Sequence, residues 1–548
     1  MPAAMSEDKS GGRAALVAAI ALAAGTLLVR FPPMTDLPLH AATVGLLRHF
    51  SDPAFVPPGL YTWNFGHANQ LFHLLAWALS YPLGVDGACK LVVAASQVGI
   101  VLGGLRLARH VGASSWCALL FVPIAIGWTF RFGLVANLLG VGLLFAALPD
   151  LDDASAGPRV PGARSLGRSC LWMVVLYAAH FSVVVIAALI VGLFALLRAR
   201  RDGLRALLLR LLPSLFAGAL VGAQQVAQRL TIATQGLESG GVVWRSPLQN
   251  ALELPYTLTG LPDVAVSCAL ALLTLLGIAS FAASGVHANR FLLVAAFLLG
   301  ASLITPFGIA RGTLFSQRFF APGLGLLVVG LAARTTPSPV TRLQRLLAGA
   351  VPLAFVAFLV PELVDADRQN RALDQLLVRM QPGSAVVAIE ADPDKGDRSF
   401  ALVSTAARAV AWHGGRINMS FNESVISPVL LRPEHVWHES AARLGNNTVD
   451  FEPQRDFALF RYALVHTRNA AIRAVAPEVM APEGRMLGQA GEWQLFETTG
   501  TVVPLTAPEP PPPDGDLETF RVRSIRALAR LAHARTSADA APVPGQYE

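Results

Sequence analysis

Charge is scarce in this chain. Only 14% of its 548 residues are Asp, Glu, Lys or Arg, 53% are hydrophobic, and the mean hydropathy is +0.51. A soluble protein of this size needs more charge to cover its surface, so that class is excluded and a polytopic membrane protein is expected. Cysteine is nearly missing: Cys89, Cys117, Cys170 and Cys268 sit in or beside apolar segments, without metal or disulfide spacing. There is no glycine-rich phosphate loop. His413, His435 and His438 lack zinc spacing, and Asp392, Asp394 and Asp397 lack the closing glutamate of a calcium loop. The sequons at Asn418, Asn422 and Asn446 carry no meaning without a eukaryotic secretory context. The formal charge of +7 comes from arginines spread between apolar runs, a pattern that reports membrane topology and excludes nucleic acid as partner.

What is present is a succession of apolar segments. They cover 14–29, 88–105, 116–130, 133–148, 170–179, 181–197, 204–222, 265–283, 291–309, 319–333 and 346–360, which predicts about eleven transmembrane helices, several of them short. Arg30-Phe31-Pro32-Pro33 offers no small-residue cleavage site, so the first segment is read as an anchored helix. A cytoplasmic N-terminus sends Arg106, Arg109, the 159–168 and 198–210 clusters, Arg290 and the 334–345 cluster inside. This register requires 71–83 to lie as a juxtamembrane helix on the outer side, and 170–197 to divide into two short spans that turn near His180. The outer face then carries loops 31–87 and 223–263, turns near Arg131 and His180, the stretch 305–318, and everything after Glu362.

Residues 1–362 are thus expected to form the membrane domain. Residues 363–503 read as a small soluble, extracytoplasmic α/β domain, with strands at 385–390, 462–466 and 492–496 and a helix over 399–413. A proline-rich linker and a basic amphipathic helix, 517–535, fill 504–548; that helix suits either anionic lipid headgroups or a docking surface.

A group transfer at a membrane surface requires a base, and donors or cations to receive the departing anion. Asp36, at the mouth of the first span, is the candidate base, with His40 one helical turn later; a helix-capping role is the alternative for Asp36. Arg311, Arg318 and Arg131 are candidate phosphate ligands, since a guanidinium pairs two oxygens at once. His180 is costly in an apolar stretch unless it faces a polar cavity. His67, Asn69 and His73 are candidates for an acceptor path, and Gln224, Gln225, Gln228 and Glu238 for further contacts.

The order of these parts resembles the GT-C class of membrane glycosyltransferases, closest to the bacterial branch related to protein mannosyltransferases and lipid A aminoarabinose transferases. The likeness rests on Gln70-Leu71-Phe72-His73-Leu74-Leu75-Ala76-Trp77, the run from Gly87 to Arg106-Leu107-Ala108-Arg109-His110, and Gln317-Arg318-Phe319-Phe320-Ala321-Pro322, within residues 10–335. It implies a GT-C-like fold, a polyprenyl-phosphate sugar donor, a lipid, glycan or protein acceptor at the outer face of a bacterial cell membrane, and inverting transfer. Two features depart from the family. No second acid accompanies Asp36, and Gly66-His67-Ala68-Asn69 replaces the usual proline pair. No cofactor is assigned, although the family admits a divalent metal. A catalytically silent member acting in binding or envelope assembly is the alternative reading, and a lipid or solute transporter the third.

Overall fold

The computed structural model describes residues 2–199, 203–234, 241–282, 289–309, 314–333, 339–391, 404–436, 451–481 and 483–507. Arg311, Glu238, Asp392, Asp394, Asp397, His438, the sequon at Asn446 and the expected helix 517–535 lie outside these residues.

The chain begins with α1 (Pro2–Leu28), α2 (Leu37–Arg48), β1 (Tyr61–Trp63), α3 (Leu71–His110), α4 (Val122–Ile126), α5 (Trp128–Arg131) and α6 (Val135–Ala156). It continues through α7 (Ala163–Ala179), α8 (Phe181–Ala199), α9 (Leu204–Thr234), β2 (Val242–Val243), α10 (Pro247–Leu252), α11 (Leu254–Thr259), α12 (Val264–Ser280) and α13 (Arg290–Ile304). Then come β3 (Gly308–Ile309), α14 (Phe320–Ala332), α15 (Arg342–Leu377), β4 (Ala385–Glu390), α16 (Arg408–His413), β5 (Arg416–Ile417) and β6 (Val429–Leu431). The last elements are α17 (Pro453–Asp456), β7 (Tyr462–His466), α18 (Ala470–Met480), β8 (Gly484–Ala490) and β9 (Trp493–Thr498). They divide into two units, Met1–Asp36 with Phe65–Val364, and Leu37–Asn64 with Asp365–Glu548.

The first unit is helical. Six helices are long and apolar enough to cross a membrane, and four shorter apolar stretches, including Ser115–Arg131, accompany them among the described residues. The chain is an integral membrane protein. Among the described residues the apolar segments are mainly helical, although the end of the 291–309 run forms β3, and six of the expected spans have full length. The 116–130 segment is a 3₁₀ turn, Ser115–Phe121, followed by α4 and α5, which Gly127 separates. A Cβ at Gly127 would stand 2.0 Å from the Leu258 carbonyl oxygen, so this break is where α11 approaches.

Two expected breaks occur. Helix α3 kinks at Gly84, whose φ of 71° separates a first segment from the span that follows. At His180 the backbone is extended (φ −163°, ψ 132°), dividing α7 from α8. The expected outer loop 223–263 needs correction, because α9 runs on to Thr234 and α10 and α11 occupy 247–259. Its Ala223-Gln224-Gln225-Val226-Ala227-Gln228-Arg229-Leu230 run is rich in strong helix formers, which prolong the span.

The second unit is built on a five-stranded sheet of order β5-β4-β7-β9-β8. Strands β5, β4 and β7 are parallel, while β7–β9 and β8–β9 are antiparallel. Both β4 and β7 are buried along their whole length, as a parallel pair covered on both faces requires. The expected 399–413 helix is reduced to a 3₁₀ turn, Thr405–Ala407, leading into α16; residues 399–403 lie outside the described residues.

A segment of the first loop belongs to this unit. Strand β1 pairs antiparallel with β6, Tyr61 opposite Leu431, and the Tyr61 hydroxyl donates to the Gly415 carbonyl oxygen at 2.9 Å. The Asn64 amide donates to the carbonyl oxygens of Val425 and Ser427 (2.9 and 2.8 Å). The expected boundary at residue 363 therefore describes only the second part of the unit.

Inside the sheet, His466 on β7 stands opposite Glu390 on β4. Its Nδ1 lies 3.0 and 2.9 Å from the two Glu390 oxygens, and its Nε2 lies 3.5 Å from Glu492. Burial opposes the charged ring, but the carboxylates of Glu390 and Glu492 outweigh it and raise the His466 pKa to about 9. The folded value exceeds the ordinary 6.5, so this stabilisation is complete below about 6.5 and is lost as the pH rises through about 9. Pulse proteolysis of the full chain in urea should therefore show this unit weakening between about pH 7 and about pH 9. The His466→Gln variant should lose most of that dependence; an unchanged slope would refute the assignment.

Candidate active site

The segment leaving α1 is held by backbone bonds. The Thr35 N–H and hydroxyl donate to the Arg131 carbonyl oxygen (3.1 and 3.3 Å), and the Asp36 N–H donates to that of Phe132 (3.1 Å). Asp36 is half-buried, and its carboxylate accepts no hydrogen bond among the described residues. A capping carboxylate accepts a backbone N–H, and among the described residues this one accepts none. Burial pushes the Asp36 carboxyl up to about 7, and the nearby Arg318 guanidinium pulls it partly back.

Arg318 lies in the 3₁₀ turn Ser316–Phe319 that opens α14. Its Nη1 donates to Nε2 of buried His180 at 2.5 Å. On the other side of that ring, Nδ1 lies 2.8 Å from Ser182 Oγ, which also receives the Asn137 amide at 3.2 Å. The turn is anchored by Gln317, next to Arg318: its amide donates to Glu253 (3.2 Å), whose two oxygens also accept from Arg245 (2.8 and 2.7 Å). Arg245 in turn lies over the Phe307 ring, 3.5 Å from its centroid.

Arg131, at the end of α5, forms an ion pair with Glu362 of α15. One terminal nitrogen of this candidate phosphate ligand is thus already engaged. A carboxylate inside an apolar helix is the signal by which Glu362 could have been singled out from the sequence.

The other candidates are distributed as follows. Asn69, at φ 68°, accepts the Phe181 N–H on its Oδ1 (2.7 Å), so it caps α8 beside His180. The Gln224 amide donates to His67 Nδ1 (3.1 Å), and its oxygen accepts from the Tyr177 hydroxyl (2.5 Å) and the Ala68 N–H (3.3 Å). His73 is buried in α3, edge-on to Phe72, while Gln225 and Gln228 bond to each other on an exposed face of α9. His40 belongs to the second unit, where its ring packs 4.8 Å from Phe421; the division of units falls between Asp36 and Leu37. The structure therefore joins Asp36, Arg318 and His180 in one cluster, with Asn69 bonded to the residue after His180.

A second polar cluster occupies the far end of α6. Asp152 receives Nε and Nη2 of Arg290 (both 2.6 Å) and faces His110 Nε2 (2.8 Å), while Asp150 pairs with Arg106 and Arg168 and accepts from Trp172. Among the described residues, His110, Asp152 and Asp153 are the group spaced to hold a metal. Both Asp152 oxygens already serve Arg290, so the group reads as an ion-pair staple between the ends of α3, α6 and α13. Fifteen residues of helix, about 22 Å, separate it from Asn137. The arginine-rich loops and the Asp36 cluster therefore lie at opposite ends of α6.

No protein-family model matches the sequence, and no curated protein matches it. Among the solved structures similar to the chain are two of one protein. One is ArnT from Cupriavidus metallidurans bound to undecaprenyl phosphate, at 13% identity and a TM-score of 0.51, covering 90% of this chain and 99% of that one. The other is the same protein in the apo state, at 12% identity and a TM-score of 0.50, covering 90% of this chain and 98% of that one. The chain thus has the fold of the ArnT structures, which is the fold the sequence resemblance implied.

Proposed function

We propose that the chain is a membrane glycosyltransferase that takes its sugar from a polyprenyl-phosphate donor and passes it to a hydroxyl of a lipid, glycan or protein at the extracytoplasmic face. The observation that carries this reading is the placement of Asp36 at the mouth of α1, beside Arg318, with a carboxyl that accepts no hydrogen bond among the described residues and that burial pushes up to about 7. A base works best with its pKa near the operating pH, where it is partly ionised yet basic enough to take a proton. In the reaction the acceptor oxygen bonds to the anomeric carbon with inversion, and its proton passes to Asp36. The bond from that carbon to the phosphate oxygen breaks, the electron pair leaves with the polyprenyl phosphate, and Arg318 stabilises the charge.

The fold supports the donor class, because one of the similar structures holds undecaprenyl phosphate. For the bacterial cell membrane, a cytoplasmic N-terminus is supported by the grouping of Arg106, Arg168 and Arg290 at one end of α6. The purified chain should bind undecaprenyl phosphate more tightly than undecaprenol. Arg318→Met should weaken the phosphate form about tenfold or more, the worth of a charge-assisted hydrogen bond. Equal affinity for the phosphate and the alcohol would overturn the donor assignment.

A further inference from the structure

We propose that residues 242–252 are a lipid anchor, seated in the bilayer interface at the Arg318 end of the helices, and that they brace the segment leading into the Arg318 turn. Val242, Val243, Trp244, Leu248 and Leu252 are all more than half exposed, from 54% for Val243 to 72% for Leu252. So dense a row of bare apolar side chains marks a contact surface rather than a water-facing loop. The polar groups of the same stretch are satisfied by protein. Arg245, its one charged residue, gives Nη1 to both Glu253 oxygens and lies over the Phe307 ring. Ser246 and Gln249 cap each other: the Gln249 N–H donates to Ser246 Oγ (3.1 Å) and the Ser246 N–H to Gln249 Oε1 (3.0 Å). The Asn250 amide donates to the Leu303 carbonyl oxygen (2.8 Å). Polar side chains satisfied within the protein and apolar ones turned outward suit the edge of a hydrocarbon layer.

The occupant is phospholipid, because the patch continues the surface of the apolar helices beside it. The Asn250–Leu303 bond seats α10 at the end of α13, whose last residue, Ile304, is exposed. Chain then passes through α11 to α12, whose first residue, Val264, is exposed as well. Trp244 is of the residue type that gathers at the membrane–water boundary. The anchor is also tied to what carries Arg318. Val242 and Val243 pair with Ile309 and Gly308, and the Phe307 N–H donates to the Val243 carbonyl oxygen (2.9 Å). The Phe315 N–H donates to the carbonyl oxygen of Phe307 (2.8 Å), and Gln317 to Glu253 (3.2 Å). Lipid that holds 242–252 thereby fixes the depth of the Arg318 turn, whether or not the chain transfers sugar.

The full chain is reconstituted in phosphatidylcholine vesicles whose acyl chains carry bromine near either the carbonyl or the methyl end. Emission of Trp244 is the difference between wild type and Trp244→Phe. It should lose most of its intensity to the shallow bromines, less to the deep ones, and little to aqueous iodide. In a Trp244→Phe background, Leu248→Trp should restore a signal quenched in the same order. Quenching by iodide without quenching by bromine would mean a water-facing loop, and shielding from both would mean a protein cover, a second copy included; either result overturns the anchor. For the brace, Leu248→Asp combined with Leu252→Asp should speed hydrogen exchange at the Phe307 and Phe315 amides in the vesicles, with the Leu138 amide of α6 as the unperturbed reference. Unchanged exchange at both would overturn it. If the double variant does not insert, Leu252→Ser alone decides the matter.

Discussion

Asp36→Asn is expected to abolish sugar transfer in a chain that still folds and inserts. Asparagine has nearly the same shape but cannot take a proton, and loss of a positioned base costs about 10²- to 10⁴-fold in rate. Because the carboxylate accepts no hydrogen bond among the described residues, and its backbone N–H stays on the Phe132 carbonyl, little stability is lost with it. The wild-type pH profile provides the companion result. With the carboxyl raised to about 7, transfer should climb through a limb centred near neutral pH, because only the ionised form accepts a proton. An ordinary aspartate would place that limb near about 4. Transfer to an acceptor in proteoliposomes, measured beside size-exclusion profiles, checks both, and an active asparagine variant would remove Asp36 from the chemistry.

The second large effect concerns folding. Gly414→Ala should destabilise the second unit by roughly 3 kcal/mol, combining the strain of a non-glycine residue at positive φ with forced displacement of neighbours. Gly414 has φ 70°, and a Cβ there would stand 1.9 Å from the Phe55 carbonyl oxygen, which also accepts the Gly415 N–H at 2.9 Å. The substitution thus separates the first-loop segment from the turn that follows α16. Limited proteolysis of the full chain should show accelerated cleavage within 49–60. Gly500→Ala, whose Cβ would meet only Thr498 Oγ1 at 3.7 Å, should behave as wild type. Equal resistance of both variants would show that the first-loop segment does not depend on this contact.

Much of the architecture is legible in the sequence because it depends on local chemistry. Apolar runs predict where helices form, and His180 and Gly84 interrupt them where expected. The strand-length runs at 385–390 and 462–466 become β4 and β7, since both are short, β-rich and flanked by turn residues. The polar end of α9 reads as loop in the sequence, yet it is helical, because glutamine and alanine favour a helix about as strongly as leucine does.

By itself, then, the sequence determined a membrane protein of many apolar helices, its basic loops, and an acid at the mouth of the first span. These follow from composition and from periodicities that act within a few residues. Only the tertiary structure decided that Leu37–Asn64 folds with the C-terminal unit, that Arg131 is paired to Glu362, and that His180 meets Arg318. The His180–Arg318 contact spans 138 residues of chain. Hydropathy carries no trace of such a pairing, because it depends on which helix ends the packing brings together.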